Sequence, residues 1–115
     1  MNGILDCLIN KNSSCNPVWF MRQAGRYLPE FRKIRKKNQD FIKLCLNSNL
    51  ASDITLQPIK RYDLDAAIIF SDILIVPYAL GQKVTFVKNK GPMLSDFNME
   101  KFLKSKPSIF LKKLK

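Results

Sequence analysis

Arg22 and Arg26 are the residues of this chain best suited to hold an anion. They stand four apart in the segment RQAGR, with Gln23, Ala24 and Gly25 between them. A guanidinium presents a planar fork of donors that matches a carboxylate bidentately and stays charged at any working pH. Two forks on one glycine-containing loop can converge on a single polyanion. The small residues between them let a ligand approach the backbone, whose N–H groups add further donors. Residue type alone leaves the alternative open that both arginines are solvated, or paired with Glu30 or an aspartate. Asp72 is the second candidate. It follows the apolar run Ala66–Phe70, and in parallel α/β folds the C-terminal end of a strand carries the ligand site. An acid held there can receive N–H donors or face a developing cation; the bland role is a turn or helix cap. Arg35 belongs to a basic run, RKIRKK, which reads mainly as a solvated helix face. Trp19, Phe20 and Phe31 read as core.

The elements that must position these residues follow from periodicity. Residues 17–21, PVWFM, read as a short buried strand ending in the Gly25 loop. Residues 29–47 read as helix in two pieces, with Pro29 tolerated in a first turn. Residues 49–62 form an amphipathic helix with Ala51, Ile54, Thr55, Pro58, Ile59 and Tyr62 on one face, kinked or weakened at Pro58. Residues 65–70, DAAIIF, are apolar without alternation, the mark of a parallel strand covered on both faces, and Ile73–Pro77 continue the apolar run. KVTFV at 83–87 alternates like an edge strand or hairpin arm, with Asn89–Pro92 as a turn. Residues 99–104 and a segment opened by Pro107 read as helices, and residues 1–16 as a short helix followed by a polar turn. Strand, helices, strand is a βαβ order.

The composition bounds the rest. The chain has 115 residues, of which 46% are hydrophobic and 25% charged, a globular balance and enough for one small domain. The net charge of +11 suits an anionic partner. Cys7, Cys15 and Cys45 are odd in number and lack CxxC spacing, so they read as free thiols. No histidine is present, which removes imidazole chemistry from this chain. No apolar stretch is long enough for a membrane-spanning helix. The amphipathic pattern at the last residues has no stop signal, and two parallel strands do not make a sheet, so the chain is expected to be the first part of a longer protein.

PVWFMRQAGRYLPEFR at residues 17–32 closely resembles the opening signature of the uroporphyrinogen decarboxylase family, P-x-W-x-M-R-Q-A-G-R-Y-x-P-E-[FY]-R. ITLQPI at 54–59, LDAAIIFSDIL at 64–74 and NKGP at 89–92 resemble further family segments. The resemblance implies an α/β fold in which residues 1–115 are the N-terminal part of a single (β/α)8 TIM barrel, incomplete in this chain. It implies a cytoplasmic homodimer that removes carbon dioxide from the four acetate side chains of uroporphyrinogen III in porphyrin biosynthesis. No metal and no organic cofactor is implied, since the substrate's own protonated pyrrole serves as electron sink. By the same resemblance Arg22, Gln23, Ala24, Gly25 and Arg26 form the substrate-binding loop, and Arg35 is a further substrate arginine. Asp72 accepts pyrrole N–H groups and stabilises the cation; Arg22 is a candidate proton donor. The family's later tyrosine, serine or threonine, and histidine have no counterpart here, so the isolated chain is expected to be inactive and poorly stable.

The residues leave three rival readings. Cobalamin-linked methyltransferases share the barrel but bind zinc late in the chain, and the intact RQAGR and FSD segments favour the decarboxylase. A small basic nucleic-acid-binding protein would show a helix-turn-helix, RRM or zinc pattern, and none is present. A non-catalytic remnant could still bind an intact homologue. Neither nucleic acid nor membrane is expected as a partner.

Overall fold

The computed structural model describes residues 3–11, 16–87 and 89–114. The expected polar turn near residues 10–16 falls for residues 12–15 outside the described residues, as does Cys15; Cys7 is an exposed free thiol. The chain divides into two compact units, Met1–Phe70 and Ser71–Lys115.

In the first unit, α1 (Gly3–Asn10) buries no side chain. The two-piece helix resolves into α2 (Pro29–Lys37) and α3 (Phe41–Leu46), followed by α4 (Ser48–Tyr62). Pro29 opens α2, where a missing N–H costs nothing. The Asp40 carboxylate accepts the Lys43 N–H at 3.1 Å and starts α3. Asn47 closes α3 with its backbone and opens α4 with its side chain, which accepts the Leu50 N–H at 3.0 Å. Ala51, Ile54, Thr55 and Pro58 form the buried face of α4, as the periodicity requires; Tyr62, expected there, is exposed. Pro58 lies within the helix and is fully buried, so packing offsets the lost backbone bond. The core joins Leu28, Phe31, Leu44 and Ile54, with Ala24, Ile34, Phe41, Leu50 and Phe70 packed against it. The Phe70 ring meets Phe31 and Phe41 edge-on, with centroids 5.7 and 6.1 Å away.

The two expected parallel strands differ from expectation. Residues 17–21 and 65–70 form no regular backbone ladder. Val18, Trp19, Phe20 and Met21 are exposed, Met21 at 79%, and so are Ile68 and Ile69, so neither face-covered strand is realised. The physical reason is that a parallel strand takes its hydrogen bonds and its cover from neighbours on both sides. Partial pairing does exist: the Asp65 N–H donates to the Val18 carbonyl at 3.0 Å, and the Asp65 carboxylate accepts the Val18 N–H at 2.7 Å.

In the second unit, Ile73–Pro77 do not prolong a strand. The chain turns at Asp72 and enters α5 (Ile75–Ala79), with Pro77 in a first turn that tolerates it. The expected arm at 83–87 forms β1 (Val84–Val87), which pairs antiparallel with β2 (Gly91–Leu94), a strand that begins within the expected Asn89–Pro92 turn, with Val84 opposite Leu94. Its turn carries Asn89 and Gly91 at φ 66° and 84°, the left-handed region those residues tolerate best. Then α6 (Met99–Leu103) and α7 (Pro107–Leu111) follow, with Asn98 capping α6 through the Lys101 N–H at 2.8 Å. Phe97, Phe102 and Phe110 meet in series at 5.4 Å centroid spacings, their rings tilted by 50° and 37°, beside a cavity of about 390 Å³. Among the described residues, no helix is long and apolar enough to cross a membrane.

Candidate functional site

The loop between residue 21 and α2 is built around one buried side chain. Gln23 is 4% exposed. Its carboxamide donates to the Ala66 carbonyl at 2.8 Å and accepts the Ile68 N–H at 3.0 Å. The Tyr27 hydroxyl donates to the Gln23 backbone carbonyl. Burial raises the Tyr27 phenol above its ordinary pKa, and the nearby Tyr62 and Glu30 push the same way. The Leu28 N–H donates to the Gly25 carbonyl at 3.0 Å, closing a turn with Arg26 and Tyr27 at its centre. Leu28 then enters the core at 1% exposure, so the turn is anchored at both ends.

The five arginines sort by their partners. Arg32 donates to the carbonyls of Arg26 and Tyr27 at 2.8 and 3.1 Å. Arg35 donates to the carbonyls of Asn38 and Gln39, the latter at 2.6 Å, and lies over the Phe41 ring at 5.1 Å. It closes the C-terminal end of α2, where a cation is favourable. Arg61 grips Glu30 through two bonds of 2.9 Å. That bond holds the Glu30 carboxyl below its ordinary pKa and raises the Arg61 guanidinium. Glu30, the alternative partner for Arg22 or Arg26, is therefore taken. Among the described residues no acceptor holds the guanidinium of Arg22 or Arg26, and both residues are exposed.

Ala24 is half-buried against the core. Gly25 does not occupy the left-handed region, and a Cβ built there would meet the Tyr27 ring at 3.5 and 3.6 Å, ordinary contact distances. The fold itself does not demand a glycine at this position, so its openness is available to a ligand. Arg22, Gln23, Ala24, Gly25 and Arg26 thus share one loop of the first unit, while Arg35 sits at the end of α2.

Asp72 belongs to the second unit. One carboxylate oxygen accepts the Leu74 N–H at 2.9 Å, and the Asp72 carbonyl accepts the Ile75 N–H at 3.1 Å. The turn-capping role is therefore real; the other carboxylate oxygen has no partner among the described residues.

Sequence reasoning missed the anchors. Thr55 donates to the Ala51 carbonyl at 2.7 Å and accepts the Phe70 N–H at 2.8 Å, tying residue 70 to α4. A threonine on a buried helix face is the signal that could have revealed it, because its hydroxyl needs a partner there. Asp65 and Tyr27 act likewise on the other segments.

Two guanidinium groups with no acceptor among the described residues, on an anchored loop with an open glycine between them, define a surface suited to a polycarboxylate. The sequence comparisons place it more closely. A model of the family described as uroporphyrinogen decarboxylase (URO-D) matches residues 1–113, and the chain belongs to that family. It is 52% identical over 109 residues to a uroporphyrinogen decarboxylase of Rickettsia felis, covering 92% of this chain and 32% of the relative. A Rickettsia canadensis relative of the same name is 53% identical over 106 residues, 90% of this chain and 31% of its own. One from Rickettsia africae is 48% identical over 117 residues, 99% and 34%. The chain spans about a third of the length of the relatives it matches.

Proposed function

We propose that this chain supplies the substrate clamp of a uroporphyrinogen decarboxylase, as residues 1–115 of a single (β/α)8 barrel domain. The carrying observation is the sorting of the arginines. Arg32, Arg35 and Arg61 each donate to partners in the fold, whereas Arg22 and Arg26, on the RQAGR loop, have no acceptor among the described residues. A barrel reading is supported by the pairing of residues 18–23 with 65–68. It is supported also by the open edge at Ala67 and Ile69, whose backbone groups find no partner among the described residues.

Uroporphyrinogen carries a carboxylate on every acetate and propionate arm, so two fixed guanidinium forks orient it at one rim. In the proposed reaction a pyrrole carbon is protonated and the ring becomes cationic. The bond to the acetate carboxylate then breaks, carbon dioxide leaves, and its bonding electrons neutralise the ring. Asp72 is the group proposed to accept pyrrole N–H bonds and stabilise that cation. Gln23, Ala24 and Gly25 shape the loop, and Arg35, at the end of α2, is a further substrate arginine through the guanidinium donors not engaged by Asn38 and Gln39.

Two measurements test this. Titrating the chain with uroporphyrin, the oxidised tetrapyrrole with the same carboxylates, should quench Trp19, the chain's single tryptophan. Arg22→Ala and Arg26→Ala should each weaken binding about tenfold, the order expected for a charge-assisted bond. Both should leave stability within about 0.5 kcal/mol of the parent. Unchanged affinity in both variants would sink the clamp. In the complete barrel, Asp72→Asn should lower turnover far more than it weakens binding; equal losses would assign Asp72 a binding role alone.

A further inference from the structure

The Gln23 carboxamide has the bonding pattern of a backbone residue. In a parallel β pair, one residue donates its N–H to the residue before its opposite number and accepts the N–H of the residue after it. Gln23 does this with its side chain, donating to the Ala66 carbonyl and accepting from the Ile68 N–H, with Ala67 opposite. The rung below is also completed by a side chain, since the Asp65 carboxylate takes the Val18 N–H while the Asp65 N–H bonds the Val18 carbonyl. Gln23 lies five positions beyond Val18, but Ala67 lies only two beyond Asp65, so the first segment carries excess length between the rungs. Trp19, Phe20 and Met21 lie in that excess, and Arg22 lies at its end.

We propose that Gln23 is a positioning residue. Its carboxamide stands in for a missing backbone rung and sets the register between the loop that carries Arg22 and Arg26 and the segment that leads to Asp72. Gln23 does not itself contact substrate. The consequence for ligand binding rests on the clamp reading above; the register role does not. Glutamine is suited to the task because one planar group offers a donor and an acceptor in the orientation of a peptide. Glutamate keeps the acceptor for Ile68 but turns an oxygen lone pair toward the Ala66 carbonyl. A protonated glutamate restores the donor.

The test is the Gln23→Glu chain followed by Trp19 emission, without and with uroporphyrin, against the parent chain at each pH. Tyr27, whose hydroxyl meets the Gln23 carbonyl, and Asp65 on the Val18 rung titrate along the same pair of segments, and the parent reference removes their contribution. At neutral pH the ligand-free variant should show an altered Trp19 emission, and uroporphyrin binding should fall about tenfold, as for one buried bond made unfavourable. As pH falls through the titration of the new carboxyl, near or above its ordinary value of about 4.3, both signals should return together toward the parent. Gln23→Met, which lacks both groups, should be impaired at every pH. A variant whose ligand-free Trp19 emission matches the parent while binding is lost would make Gln23 a substrate contact and overturn the inference. Loss in Gln23→Glu without recovery at low pH would overturn it too, as would a parent chain whose Trp19 emission does not change on adding urea. If the parent fails to bind uroporphyrin, or Arg22→Ala and Arg26→Ala bind as it does, the clamp reading falls while the ligand-free arm still decides the role of Gln23.

Discussion

At Gly25 the loop has space that its own packing does not use. A methyl group there would touch only the Tyr27 ring at ordinary contact distance. Alanine at a compatible backbone position usually stabilises, by about 0.5 kcal/mol, because it narrows the unfolded ensemble. Gly25→Ala should therefore melt no lower than the parent in a thermal unfolding experiment and yet bind uroporphyrin more weakly. A marked drop in melting temperature would show that the fold needs the glycine. The same scale separates Arg35 from its neighbours. The family resemblance placed Arg35 among substrate residues; in the structure one of its guanidinium nitrogens donates to the Asn38 and Gln39 carbonyls just past α2. Which of two arginines nine residues apart finds such partners depends on where a helix stops, and spacing does not show that.

Among the elements, α4 holds the most together. It presents Ile54, at 0% exposure, to the core and Thr55 to Phe70. Its start depends on Asn47, which also ends α3. Asn47→Ala should cost about 1 kcal/mol by chemical denaturation, the usual worth of a side-chain N-cap; Asn47→Asp should cost much less, since a carboxylate caps as well. Helices were legible because their apolar spacing, prolines and caps are local. The first hairpin arm and its turn were legible for the same reason, whereas the partner strand Gly91–Leu94 was not. The strand reading of residues 17–21 and 65–70 met a different outcome. Their residues suit a sheet interior, yet a strand is completed by neighbours, and here side chains of Gln23, Asp65 and Thr55 occupy the places of missing backbone partners.

For the molecule as a whole, charge sets the response to acid. The Arg61 bond lowers the Glu30 pKa, so the folded state gains from the ionised form above the ordinary glutamate value. That gain is lost as pH falls through the lowered folded value. Below about pH 4 the parent and Glu30→Gln should converge in stability, with the parent the more stable near neutrality; the pair is exposed, so the difference should be small and should shrink in salt. Unfolding curves at several pH values would check this. The net charge of +11 fits a polyanionic ligand but does not choose one. The sequence by itself determined family membership, the helices apart from α5, one hairpin arm and the positions of Arg22, Arg26 and Asp72, because motifs and local periodicity are carried by neighbours along the chain. Only the tertiary structure decided which arginines find partners in the fold, that Gln23 is buried as a surrogate rung, and that Thr55 anchors Phe70. The Gln23 and Thr55 bonds span 15 to 45 residues, and a donor's partner at that distance is chosen by the fold and not by the residues beside it.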